Sequence, residues 1–310
     1  MHATAIILEQ PERLSMRSLA LTSPQSSDVV VDIAWSGISS GTERLLWEGR
    51  MPSFPGMGYP LVPGYESVGR IVDAGADAHG RIGEWVFVPG ANCYEGARGL
   101  FGGSASRVVV PSARVLPVPE SLGERGILCA LAATAQHAIA GHAAPDLIVG
   151  HGVLGRLLAR VTIASGAPAP TVWETNPVRR DGAQGYRVTD AEHDERRDYR
   201  AIYDASGAEG LTDMLIMRLA RGGELVLAGF YTQPISFTFP PAFMREVRLR
   251  IASEFLPADM AAVSALLDSA SLDLGSLVTD VRPVGEFKTA YPQAFTDPAC
   301  LKMVLDWSSL

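Results

Sequence analysis

The stretch Asp146-Leu-Ile-Val-Gly150-His-Gly152-Val-Leu-Gly155-Arg-Leu-Leu-Ala-Arg160 decides the fold. Leu147, Ile148 and Val149 are a short apolar run of the kind buried in a parallel strand, and three glycines follow at G-x-G-x-x-G spacing. Leu154, Leu157, Leu158 and Val161 then recur at helical intervals. The glycine pattern alone is weak evidence, because 31 of the 310 residues are glycine. Its context adds the weight. Gly166 and an Ala-Pro-Ala-Pro tract end the helix. A second strand, Thr171-Val-Trp-Glu174, closes on a carboxylate about 20 residues beyond the last glycine.

That order is the order of a dinucleotide site. Gly150 permits the tight turn, Gly152 lets the backbone approach a pyrophosphate, and Gly155 lets helix and strand pack closely. Phosphates would rest on the turn from Gly150 to Gly155, with His151, Val153 and Leu154 between the glycines, at the positive end of the helix dipole. Glu174 would accept hydrogen bonds from the adenosine ribose and repel a 2′-phosphate, which selects NAD over NADP. Arg179 and Arg180 follow closely and moderate that repulsion. Two later strands, Arg200–Asp204 and Glu224–Ala228, place Asp204, Ser206, Gly229 and Phe230 beyond their carboxyl ends, where open parallel sheets bind ligands.

Outward from this unit the chain is ordinary in composition. It is 47% hydrophobic and 19% charged, with a net charge of −8. No basic stripe offers the phosphate contacts that nucleic acid requires. No apolar run reaches the roughly 18 to 20 residues of a membrane span, and the first residues lack the shape of a signal peptide, so a cytoplasmic location is expected. Cys93, Cys129 and Cys300 form no C-x-x-C pair, which excludes a disulfide framework and a thiolate zinc lobe. The six histidines show no metal-ligand spacing.

Residues 1–116 read as β-rich, with short Val- and Ile-rich runs bounded by Gly, Pro, Ser and Asp: a small barrel or sandwich. The runs are Ala3–Leu8, Val29–Ala34, Ser67–Asp73, Trp85–Pro89 and Ser106–Val110. A long apolar segment, Leu45–Tyr65, interrupts them and is either functional or core. From 117 to 272 strands and helices alternate, and strand-like runs return at Leu277–Val281 and Leu301–Leu305.

Several pieces resemble the medium-chain dehydrogenase/reductase superfamily. They are Gly37-Ile-Ser-Ser-Gly-Thr42-Glu43, Pro63-Gly64-Tyr65-Glu66-Ser-Val-Gly69, Gly83-Glu-Trp-Val86 and Gly103-Ser-Ala-Ser-Arg-Val-Val-Val-Pro111, together with the central glycines. The resemblance implies an α/β protein: a Rossmann doubly wound parallel sheet (117–272) plus a GroES-like β-barrel-type catalytic domain (1–116, completed by the tail 273–310). Members with catalytic zinc carry cysteine where Ser39 stands and histidine where Tyr65 stands, so no metal is expected here.

Among the zinc-less members the chain is similar to the bacteriochlorophyllide dehydrogenases, on Ile38–Gly49, Met51–Glu66 and Cys300–Asp306. That similarity implies NAD-dependent oxidation of the 3-(1-hydroxyethyl) group of a magnesium tetrapyrrole to acetyl. A Thr42, Tyr65 and Glu66 proton relay is the implied chemistry, with His137 as a second candidate base. Tyr65 would act as donor or, with a lowered pKa, as base. Ser39 together with Trp47, Met51, Phe54, Met57 and Tyr59 would form an apolar mouth for a flat macrocycle. A homodimer through the Rossmann sheet edge is a further implication. Two alternatives stay open: a zinc-less NADPH-dependent reductase of quinones or activated alkenes, and a non-catalytic pigment carrier.

Overall fold

Runs of buried apolar residues build the first strands of the chain, which is described over residues 1–310 in a computed structural model. β1 (His2–Gln10) and β2 (Arg13–Ala20) form an antiparallel hairpin. The long β3 (Asp28–Ile38) is the spine of a seven-stranded sheet, with Val29, Val30 and Val31 fully buried. A short helix, α1 (Thr42–Trp47), follows. β4 (Ser67–Ala74) pairs along β3, β5 (Trp85–Val88) pairs with β4, β6 (Arg107–Pro111) pairs with the Asp28–Asp32 half of β3, and β7 (Leu116–Pro117) pairs with β5.

The chain divides into two compact units, Met1–Leu128 with Leu277–Leu310, and Cys129–Ser276. The first boundary falls later than position 116 because the 3-10 turns of Glu120–Leu128 pack on β3, β4 and β5. A Cβ at Gly126 would lie 3.0 Å from Val68.

The second unit begins with α2 (Cys129–Ile139), β8 (Leu147–Val149) and α3 (Val153–Ala164). β9 (Thr171–Trp173), β10 (Arg187–Thr189), β11 (Tyr199–Asp204), α4 (Thr212–Arg218) and β12 (Leu219–Leu227) follow. α5 (Phe239–Arg245), β13 (Arg248–Ile251) and α6 (Pro257–Asp268) complete it. The sheet order is β10-β9-β8-β11-β12-β13, all parallel, so the order reverses between β8 and β11 as in doubly wound folds.

Two crossovers of this sheet lack an α-helix. Residues 190–198, the charged stretch before β11, are held instead by a polar plug. The Asp194 carboxylate accepts from Trp173 Nε1 at 2.7 Å and Tyr199 OH at 2.5 Å. Arg218 lies over the Trp173 ring and donates to the carbonyls of Ala191 and Asp194.

The tail returns to the first unit as β14 (Asp280–Pro283), α7 (Phe287–Thr296) and β15 (Met303–Asp306). β15 lies between β14, which it joins in parallel, and the Trp35–Ile38 end of β3, which it meets antiparallel. α7 has Pro292 inside it and buries Phe287, Ala290, Tyr291, Ala294 and Phe295. No helix of the chain is long and apolar enough to cross a membrane.

Candidate active site

In the first unit the backbone turns out of β3 at Ser39, and α1 begins three residues later. Ser39 Oγ accepts the Thr42 N–H at 3.3 Å and lies 2.7 Å from Tyr65 OH. Burial first, and then the charge of Glu66, push the Tyr65 phenol above its ordinary value, while hydrogen bonds from Ser39 and Thr42 pull the other way. A phenol held in that form is a donor, so the alternative expectation of a lowered pKa and a basic tyrosinate is corrected. Its ring stands edge-on to Phe101 at 5.1 Å.

Behind this hydroxyl pair lies a buried charge cluster. Glu66 is fully buried, and its Oε2 accepts from Lys302 Nζ at 2.6 Å. Lys302 also reaches the Ile38 carbonyl at 3.4 Å. Glu43 is 2% exposed and accepts the Ser39 N–H at 3.2 Å. Glu66 Oε1 and Glu43 Oε2 have no hydrogen-bond partner. Gly37 makes room for the cluster, since a Cβ there would sit 2.7 Å from Glu66 Oε2. A carboxylate so enclosed does not meet a substrate directly, which leaves water as the route by which Glu66 could take part in the expected relay.

These residues do not suit a zinc ion. A serine hydroxyl and a protonated phenol are poor ligands, and the adjacent carboxylate already carries an ammonium.

The expected apolar mouth is largely interior. Met51 is 8% exposed and packs with Leu8, Leu46 and Leu61, and Trp47, Met57 and Tyr59 pack against the same cluster. Tyr59 OH donates to the Leu46 carbonyl at 2.6 Å. Trp47 lies 6.2 Å from the Phe295 ring. Only Phe54 stands exposed among them. Apolar burial therefore claims most of the side chains that the resemblance assigned to a ligand mouth, which is the core alternative left open for this segment.

In the second unit the glycine turn has the shape that its spacing implies. Gly150 adopts φ +96 and packs on Ser206, and a Cβ at Gly155 would lie 1.9 Å from the Gly150 carbonyl. A Cβ at Gly152 would meet nothing within 4 Å, and no side chain caps α3. The first N–H groups of α3, those of Val153 and Leu154 included, thus face open space suited to a phosphate. Glu174 Oε2 accepts the His151 N–H at 3.0 Å and Oε1 the Asn176 N–H at 2.8 Å, which leaves further lone pairs for a ribose.

Asp204 is buried and accepts from Ser206 N and Oγ at 2.9 and 2.6 Å, Gly229 packs on Gly207, and Phe230 is exposed. His151 does not offer its ring to a phosphate: it is fully buried, with Nδ1 2.6 Å from the Arg179 carbonyl and Nε2 2.8 Å from Tyr186 OH. His137 pairs through Nδ1 with Asp259 at 2.8 Å, and Asp259 also accepts the Leu256 N–H, so this histidine ties α2 to α6.

Comparison with known proteins agrees with this geometry. Residues 25–120 match the alcohol dehydrogenase GroES-like domain. A 2-desacetyl-2-hydroxyethyl bacteriochlorophyllide A dehydrogenase of Rhodobacter capsulatus is 59% identical, with 99% of each chain covered. The chain belongs to the 2-desacetyl-2-hydroxyethyl bacteriochlorophyllide A dehydrogenase family. A relative of the same name from Cereibacter sphaeroides is 56% identical, again over 99% of both chains. The fold is also that of 2R,3R-butanediol dehydrogenase from Bacillus subtilis, with a TM-score of 0.85, 18% identity and coverage of 98% and 99%.

Two residues of this bacteriochlorophyllide A dehydrogenase family member escaped the sequence reading. Lys302 sat unremarked in the tail, and Glu43 was quoted only as part of a motif. Burial first, and then the charge of Glu66, push the Glu43 carboxyl up from 4.5 to about 8. The folded state therefore holds this proton more tightly than the unfolded chain. Its contribution to stability is largest below about pH 4.5, falls by at most ~1.4 kcal/mol per pH unit as pH rises towards 8, and is flat above. Glu43→Gln removes that slope. Urea unfolding at about pH 5, 7 and 9 is expected to show the variant gaining on the parent as pH rises; a constant difference would mean that Glu43 is ionised throughout.

Proposed function

We infer that this chain oxidises the hydroxyethyl side chain of a bacteriochlorophyllide, a magnesium tetrapyrrole, to an acetyl group, with NAD as acceptor and without a metal. The observation that carries the substrate is the near full-length match to the dehydrogenase family. Support for a nicotinamide dinucleotide comes from the open Gly152 turn, and support for NAD from the Glu174 carboxylate beside it.

The reaction removes two electrons and two hydrogens from the alcohol. When bound, the cofactor accepts one hydrogen as hydride. The chain's own residues then deal with the hydroxyl oxygen and its proton. With Thr42 N–H on it, Ser39 Oγ retains a proton to give Tyr65, and Tyr65 directs its own O–H at the substrate oxygen. Such a donor stabilises negative charge on that oxygen while the proton departs to solvent. Lys302 donates to Glu66 behind the pair, and Thr42 supports Tyr65 from the start of α1.

The test is incubation of the purified protein with NAD and a hydroxyethyl bacteriochlorophyllide, in the presence and absence of a zinc chelator. Acetyl pigment and NADH are expected in equal amounts under both conditions. Saturable pigment binding with no NADH would favour the carrier instead, and chelator-sensitive turnover would reject the metal-free reading.

A homodimer through the edge of the parallel sheet belongs to the same reading. β13 has a partner on one side only, and its own Leu249 and Ile251 are 44% and 75% exposed. Sedimentation is expected to show a dimer that Ile251→Asp converts to monomer. A monomeric parent at micromolar concentration removes the dimer from the proposal.

A further inference from the structure

The crossover from β9 to β10 is the second that lacks a helix, and it carries Glu174. Parallel strands need a long return, usually an α-helix whose apolar stripe packs on the sheet. Here residues 174–186 contain one 3-10 turn, Pro177–Arg179, and most of them are exposed. No apolar face holds this loop, so polar bonds must.

Those bonds come from the glycine turn and the first turn of α3. Arg156 is 4% exposed, and its guanidinium donates to four carbonyls: His151 at 3.0 Å, Arg179 at 3.0 Å, Asp181 at 2.7 Å and Gly182 at 3.1 Å. Gly182 is fitted around it, with φ +83 and a would-be Cβ 2.5 Å from Arg156 Nη1. Burial pushes the His151 imidazole down to about 4, with the Arg156 charge in the same direction. A neutral ring with these neighbours has one role for each nitrogen. Nδ1–H donates to the Arg179 carbonyl, and Nε2 accepts the Tyr186 hydroxyl. The two rings also meet edge-to-face at 5.5 Å. Since the His151 N–H is on Glu174 Oε2, one residue ties the phosphate turn, the ribose carboxylate and the loop together.

We propose that Arg156, His151 and Tyr186 form a polar lock that takes the place of the crossover helix and fixes Glu174 for the adenosine ribose, so setting both affinity for NAD and its preference over NADP. The lock rests on the dinucleotide reading above. Its three residues are positioning residues: they act on the cofactor through the loop and the carboxylate. Because Arg156 bonds only to main-chain carbonyls, the lock tolerates changes in the loop's side chains other than Tyr186 but not loss of the guanidinium fork.

The experiment measures Kd for NAD and for NADP by quenching of intrinsic fluorescence, and kcat and KM for NAD, in the parent, Arg156→Met, Arg156→Lys and Tyr186→Phe. The parent is expected to bind NAD at least about tenfold more tightly than NADP. Arg156→Met is expected to weaken NAD about tenfold and to narrow the preference, with kcat at saturating NAD changed less than about twofold. Tyr186→Phe, which deletes one hydroxyl, weakens NAD about threefold, and Arg156→Lys falls between parent and Met. A parent that binds both cofactors equally overturns the NAD reading whatever the variants do. A parent that prefers NAD, with Kd and preference unchanged in folded Arg156→Met and in Tyr186→Phe, overturns the lock. If Arg156→Met does not fold, Tyr186→Phe decides together with hydrogen exchange of residues 176–186: faster exchange and weaker NAD support the lock, and no change in either rejects it.

Discussion

Lys302→Met is expected to lower the unfolding free energy by about 3–5 kcal/mol, because it leaves the Glu66 carboxylate buried without its ammonium. Lys302 is 3% exposed and Glu66 is fully buried, so water cannot replace the lost partner. Glu43, raised to about 8 in the same pocket, keeps its proton at neutral pH and supplies no charge to compensate Glu66. Urea denaturation at neutral pH measures the loss. A double variant, Lys302→Met with Glu66→Gln, is the internal control: it removes the stranded charge and is expected to regain most of the stability. Equal destabilisation of single and double variants would show that packing of the lysine stem, and not the charge pair, carries the effect.

Tyr65→Phe is expected to reduce kcat by about 10² to 10³-fold with little change in the KM for NAD, the loss typical of one donor aimed at a developing oxyanion. The phenyl ring retains the edge contact with Phe101, so the fold is preserved while the hydroxyl 2.7 Å from Ser39 is lost. Ser39→Ala leaves Tyr65 in place without its support and is expected to cost less. Wild-type turnover in Tyr65→Phe would remove the phenol from the mechanism and shift attention to Thr42.

The parts legible in the sequence were those whose partners are close in the chain. Leu147–Val149, the three glycines and Glu174 lie within one strand-helix-strand unit, and each glycine has a local steric reason that spacing alone conveys. The β-rich first unit was legible through short Val- and Ile-rich runs such as Val29–Val31, bounded by turn residues. What stayed hidden was assembled from a distance or against local preference. Lys302 meets Glu66 from 236 residues away. α7 carries an internal proline, which reads as a break. Arg156 has the spacing of a solvent-facing position, yet it is buried because the loop that covers it turns its carbonyls, and not its apolar side chains, onto the guanidinium. Met51 and Trp47 were read as a ligand mouth because apolar side chains in a long loop look the same whether they face a ligand or the core.

The insertion of β15 between β14 and β3 orders events during synthesis. The strand that completes the seven-stranded sheet, and the lysine that pairs with Glu66, are translated after the whole of residues 129–276. Residues 129–276 are contiguous and can close on themselves while the tail is still being made. The N-terminal unit, though first translated, waits with the edge of β3 open and an uncompensated carboxylate inside. Completion of the two units therefore runs against the N-to-C order of synthesis, and the β3 edge stays open to mispairing until the tail arrives.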